Sequence, residues 1–188
     1  MLKSIRYKIA FFDIPGNNGE NINEFFEENF KIKSEDNYPF YKEYIYKFFY
    51  SFSIVRNPFD RLVSIYNDNK KDLKGLSFED FCVNLDKLQE KGIRNLEHII
   101  KPQYIRICNN DGLILVNNVI RYEKIKDHIN IIMGTHKMKK LKSKFPEYKI
   151  HFENPIITNY QKYYKTEEQI EIVRNFYKRD LDIFGYKY

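Results

Sequence analysis

Residues 53–66, SIVRNPFDRLVSIY, force the chain to change secondary structure abruptly. Residues 48–55 are an apolar, aromatic and β-branched run of strand length. Asn57 then offers a capping side chain, and Pro58 suits the first helical position, where no amide donor is required. Phe59, Leu62, Val63 and Tyr66 recur at i, i+3, i+4 and i+7, the stripe of a core-facing helix. Asp60, Arg61 and Ser64 are expected on the other side of that helix. Arg56 is thereby placed at the carboxyl end of a strand and beside a helix amino terminus. Open α/β sheets hold their ligands at such corners. An arginine that merely caps a sheet edge is the competing reading of the geometry.

The remaining pattern fits an α/β chain. Residues 7–14 read as a first buried strand, followed by the loop Pro15-Gly16-Asn17-Asn18-Gly19 and a helical segment near 21–29. Ser77 is expected to cap a helix that ends at Gly92, and residues 113–116 and 119–122 look like short strands around an Asn-Asn turn. Residues 123–133 should be helical. Thr166 and Gln169 form a capping-box pattern ahead of a long stripe, Ile170, Val173, Phe176, Tyr177 and Leu181, that reads as one helix reaching Phe184. Strands alternating with helices imply a parallel sheet flanked by helices. The absence of internal repeats makes residues 1–188 a single domain, and the length suffices for one substantial core.

Composition narrows the function classes. A net charge of +6 suits anionic ligands, although most lysines on any basic protein are solvated surface. A nucleic-acid binder is supported only by that charge and by the lysine-rich stretch 137–144, so no nucleic-acid partner is expected. The two cysteines, Cys82 and Cys108, lie far apart with no histidine at metal-ligand spacing; they are expected to pack as small apolar side chains, and no metal is expected. No signal-peptide core and no run of membrane-spanning length occurs, which makes a cytoplasmic location the default expectation.

The strand-to-helix segment closely resembles the 3′-phosphate-binding segment of sulfotransferases that use 3′-phosphoadenosine 5′-phosphosulfate (PAPS), in the carbohydrate-type and related bacterial members of the family. There a strand ends in Val-Arg-(Asp/Asn)-Pro and continues as x-x-Arg-x-x-Ser-x-Tyr. Val55, Arg56, Asn57, Pro58, Arg61, Ser64 and Tyr66 occupy all of those positions. Further stretches resemble the family in order: Ile14-Pro15 through Ile22, His98 with Pro102-Gln103, Arg121-Tyr122-Glu123, and Tyr177…Asp180…Phe184-Gly185-Tyr186. The resemblance implies a P-loop-like α/β fold of the sulfotransferase type, PAPS as co-substrate and a hydroxyl acceptor, expected to be a glycan. It also implies that Arg56 and Ser64 bind the 3′-phosphate, while Gly16, Asn17, Asn18, Gly19, Glu20 and Asn21 hold the 5′-phosphosulfate.

The first loop departs from the family. Gly16 stands where the family has lysine, and Glu20-Asn21 stand where it has Thr-Ser. Sulfuryl transfer needs charge stabilisation on the leaving oxygen, and losing one such donor typically costs on the order of 10²–10³ in rate. A nucleotide-binding module of weak or no activity is therefore the alternative to an active enzyme. For the base that takes the acceptor proton, His98 and Glu20 both remain candidates.

Overall fold

The computed structural model describes residues 2–4, 8–17, 48–90, 96–125, 128 and 159–188. They fall into two compact units, one built from residues 1–55 and 106–155, the other from 56–105 and 156–188.

The first unit carries the sheet. Its strands are β1 (Leu2–Ser4), β2 (Ile9–Phe12), β3 (Tyr50–Val55) and β4 (Asn118–Arg121), in the spatial order β1-β2-β3-β4. β2, β3 and β4 are parallel; β1 is an antiparallel edge strand, with Leu2 opposite Phe11. β1 carries no sequence signal, since three residues are too few to show a period. β3 is buried on both faces from Ser51 to Val55, as expected of a central strand in a parallel sheet. Burial of Ser51 and Ser53 is made tolerable by hydrogen bonds. The Ser53 hydroxyl donates to the Phe12 carbonyl at 2.6 Å, and Ser51 donates from its N–H and its hydroxyl to Asn117 Oδ1 at 2.8 and 3.0 Å.

Residues 113–116 do not form the expected strand. They contribute one isolated bridge, Ile114 to Cys108, closing a turn in which the Leu113 N–H donates to Asn109 Oδ1 at 2.8 Å. The Asn-Asp-Gly turn absorbs residues that the apolar pattern had assigned to a ladder. Of the helix expected over 123–133, the described part begins as a short 3₁₀ turn, Tyr122–Lys124; most of the remainder lies outside the described residues, as does the segment 21–29.

The second unit is helical. α1 (Pro58–Asp68) starts as anticipated, with the Phe59 N–H donating to Asn57 Oδ1 at 3.0 Å. α2 (Phe78–Val83) is capped by Ser77, whose hydroxyl accepts from the Asp80 N–H at 3.0 Å. The chain then breaks at Asn84, which donates from both its side chain and its backbone to the Asp80 carbonyl, and resumes as α3 (Leu85–Glu90). α4 (Leu96–Ile100) is a single turn, as is α5 (Tyr104–Ile107), of which only the first two residues belong to this unit.

The expected terminal helix is likewise two. α6 (Glu167–Phe176) has the full Thr166/Gln169 capping box, and α7 (Lys178–Phe184) follows a break at Tyr177 and ends at Gly185 with φ +65°. Tyr177 belongs to the apolar stripe of both pieces, so periodicity alone cannot reveal the break. The core of this unit gathers Phe59, Leu62, Phe81, Leu85, Ile100 and Val173, all essentially fully buried. Each large side chain so enclosed contributes about 1.5–3 kcal/mol relative to exposure. Cys82 is buried in the same core, and Cys108 in the other unit, as small apolar side chains.

Candidate functional site

Arg56 is the first residue after β3, beyond the last ladder pair, Val55 with Arg121. Its peptide groups are held by a side chain instead. Gln103 accepts from the Arg56 N–H through Oε1 at 2.9 Å and donates from Nε2 to the Arg56 carbonyl at 2.8 Å. Gln103 is itself held by Asp180, whose two carboxylate oxygens accept from the N–H groups of Gln103 at 2.7 Å and Tyr104 at 2.8 Å. Burial raises the Asp180 carboxyl above the usual aspartate range; the two N–H bonds and the charge of Arg61 oppose that rise.

The Arg56 side chain is 1% exposed, and its Nε donates to Asp60 Oδ2 at 2.6 Å. Asp60 sits four residues on, in the first turn of α1. A pair this deeply buried contributes little net stability, because desolvation offsets its attraction. Its effect is directional: it fixes the plane of the guanidinium.

The sequence pattern placed Asp60 and Arg61 on the outer side of α1, but both are buried. Asp60 is drawn in by Arg56. Arg61 closes the carboxyl end of α4, where helical carbonyls lack intrahelical donors. It donates from Nη1 to the Lys101 carbonyl at 3.2 Å and from Nη2 to the Ile99 carbonyl, while the Tyr177 hydroxyl donates to the intervening Ile100 carbonyl at 2.6 Å. Three successive carbonyls are thus satisfied by two side chains. Burial pushes the Tyr177 phenol well above its ordinary range despite the nearby Arg61 charge, so it stays a donor.

Ser64 is half-buried on α1, and its hydroxyl donates to Asp68 Oδ2 at 3.3 Å. His98 lies in α4 with its side chain 55% exposed and Nε2 3.2 Å from Glu97 Oε1. Both belong to the same unit as Arg56, and neither contact involves Gln103 or Asp180.

In the other unit, the first loop opens with a tight turn. The Asn17 N–H donates to the Ile14 carbonyl at 3.2 Å, and Gly16 has φ +82°. Proline at the second position and a left-handed glycine at the third are the signature of a type II turn. The buried Asn17 side chain donates to the Ile54 carbonyl at 2.7 Å, tying the turn to the end of β3. Asn18, Gly19, Glu20 and Asn21 lie outside the described residues.

The sequence pattern alone does not mark Asp60, Gln103 or Asp180 as site residues. Two of them stand in the short stretches that resemble the family, Pro102-Gln103 and Tyr177…Asp180. The signal for Asp60 is its spacing, a carboxylate four residues after an arginine across a helix start.

A parallel sheet whose central strand runs directly into an arginine and a proline-led helix is the α/β arrangement that suits anionic ligands. The chain belongs to the sulfotransferase family: the family model matches residues 6–187. The fold is accordingly α/β of the sulfotransferase type, and membership assigns the chain to sulfuryl transfer, a chemistry for which the family generally draws on PAPS. No curated protein and no solved structure matches the chain. Among the described residues, no helix is long and apolar enough to cross a membrane, and no group of three or more His, Cys, Asp or Glu side chains is placed to hold a metal ion.

Proposed function

We propose that the chain, as one sulfotransferase-like domain, moves the sulfuryl group of PAPS to a hydroxyl acceptor, with a glycan as the acceptor class. The observation that carries this reading is Arg56: a guanidinium held in a fixed plane at a strand-to-helix corner, within a family match that spans nearly the whole chain. The donor set suits a phosphate. Guanidinium N–H groups give paired, charge-assisted hydrogen bonds to phosphate oxygens. The Ser64 hydroxyl, now directed at Asp68, adds a further bond once it rotates. Because Asp60 already neutralises much of the Arg56 charge, recognition relies on the direction of these bonds more than on net charge.

PAPS supplies the activated sulfuryl group. The acceptor oxygen forms a bond to sulfur as the sulfur–oxygen bond to the 5′-phosphate breaks, and the acceptor proton passes to a base, for which His98 and Glu20 are the candidates. The exposed imidazole of His98 is compatible with that role. In the first loop, backbone N–H groups take the part that a lysine plays elsewhere in the family.

A second reading, a nucleotide-binding module with slow or no transfer, is favoured by one observation. Gly16 occupies a left-handed turn position, so the loop is shaped around the absence of a side chain there.

Calorimetry with adenosine 3′,5′-bisphosphate tests the nucleotide assignment: saturable binding is expected, weakened by about 2–5 kcal/mol in Arg56→Ala. Equal affinities in the two proteins would remove Arg56 from the site. Transfer of labelled sulfate from PAPS to a panel of glycans then separates the enzyme from the inert binder.

A further inference from the structure

Where β3 ends, the backbone of Arg56 has left the sheet ladder but is still buried, and a buried peptide group without a partner is costly. Gln103 replaces the missing strand. Its amide meets both the N–H and the carbonyl of one residue, at 2.9 and 2.8 Å, as a neighbouring strand does in a sheet. A glutamine side chain is flexible, and it holds such a pose only where its own backbone is fixed. Asp180 fixes it, one carboxylate accepting two consecutive N–H groups, with both Gln103 and Asp180 fully buried. A guanidinium sits at the tip of a long side chain, so a small rotation at the Arg56 peptide moves it far. Asp60 constrains the tip and Gln103 constrains the root.

We infer that Gln103, braced by Asp180, is a positioning residue that sets the aim of Arg56 at a nucleotide 3′-phosphate. The inference rests on the reading of Arg56 as the 3′-phosphate ligand and adds to it the group that orients that ligand. Gln103 touches no phosphate itself; it acts through the Arg56 backbone.

The test compares adenosine 3′,5′-bisphosphate with adenosine 5′-monophosphate, which lacks the 3′-phosphate, by calorimetry. Wild type is expected to prefer the bisphosphate. Gln103→Ala should lower bisphosphate affinity by roughly 10²-fold, the scale of a misplacement of about 1 Å, and leave monophosphate affinity unchanged. Added to Arg56→Ala, it should cause no further loss, because the group it aims is already gone. A Gln103→Ala protein that keeps the full preference, or that weakens both nucleotides equally, overturns the proposal while leaving the nucleotide site intact. Should wild type show no preference, the 3′-phosphate reading itself falls and takes this proposal with it. If Gln103→Ala does not fold, Gln103→Glu carries the same comparison. It keeps the acceptor toward the Arg56 N–H and loses the donor toward the carbonyl, so a partial loss of preference supports the proposal and full retention overturns it.

Discussion

Asn57 donates from Nδ2 to the carbonyl of Lys187 at 2.9 Å, across 130 residues of sequence, while its Oδ1 caps α1. The two ends of one amide thus hold the helix start and the chain's last residues together within the second unit. Tyr188 completes the joint, its ring 4.9 Å from that of Phe59 and 5.7 Å from that of Tyr164 in edge-on contacts. Aspartate is as good a cap as asparagine, but it has no hydrogen to give Lys187. Asn57→Asp should therefore cost about 1 kcal/mol, the net value of a hydrogen bond, and Asn57→Ala about 1 kcal/mol more for the lost cap. Urea unfolding of the three proteins measures both steps; an Asn57→Asp protein as stable as wild type would refute the joint.

Arg61 occupies a fixed place in the segment that resembles the family's, but the sequence gives it no role of its own. The structure gives it the carbonyls of Ile99 and Lys101. A hydrogen bond to a charged group is worth about 1.5–3 kcal/mol net, so Arg61→Ala, which removes two of them, should lose about 3–6 kcal/mol. Arg61→Lys should recover only part of this, because an ammonium cannot span two carbonyls as a planar fork does. Whatever fraction of Arg61→Lys remains folded should bind adenosine 3′,5′-bisphosphate as wild type does. A folded variant with selectively lost affinity would place Arg61 in the ligand site instead.

These two cases show what the sequence makes legible. Local chemistry is plain: the Asn57 and Ser77 caps, the Thr166/Gln169 box and the apolar run of β3 each follow from neighbours within a few residues. Arg56 could be placed because a strand and a helix start flank it directly. What stays hidden is the partner of a polar side chain brought in from far along the chain. Gln103 reaches Arg56 over 47 residues and Asp180 reaches Gln103 over 77, and no period encodes either contact. Burial of Arg61 follows from such partners, whereas Asp60 is drawn in by Arg56 only four residues before it; the helical stripe, which registers apolar positions alone, put both on the wrong side.

Asp180 gives a pH signature. Its raised carboxyl pKa in the fold means that, as pH rises, the unfolded chain releases the proton first. Between the ordinary carboxylate value near 4 and the raised folded value, this group's contribution to stability falls with rising pH. Asp180→Asn removes that dependence. It also turns an amide NH₂ toward one of the two backbone donors, which should destabilise by about 1–3 kcal/mol. The deficit of Asp180→Asn relative to wild type should therefore be larger at pH 4 than at pH 7. Urea titrations at both values check the slope; a deficit that grows toward neutral pH would contradict the dominance of desolvation.

The Cys82 thiol is pushed up to about 12 by burial, with Glu79 adding to the rise. Thiolate is the reactive form, so Cys82 should be inert toward disulfide reagents at pH 8 in the native protein. Cys108 is buried as well. Both thiols should react promptly in denaturant and neither before it. Fast native labelling of Cys82, assigned by peptide mass, would contradict its placement in the core.

Gly16 decides how the departure from the family's lysine is understood. A simple loss of lysine predicts that Gly16→Lys restores transfer. The turn argues otherwise: with φ +82° at Gly16 and the Asn17 N–H bound to the Ile14 carbonyl, any L side chain at this position meets the steric penalty of the left-handed region, about 1–2 kcal/mol. The Asn17 side chain is bonded to the Ile54 carbonyl from the same turn, so relaxing Gly16 disturbs the anchoring of the loop to β3. Gly16→Ala and Gly16→Lys should therefore both lose about 1–2 kcal/mol in thermal or urea unfolding. Gly16→Lys should also fail to raise the rate of sulfate transfer from labelled PAPS. A lysine variant as stable as wild type and faster would show that the turn tolerates a side chain and that the cation was simply missing.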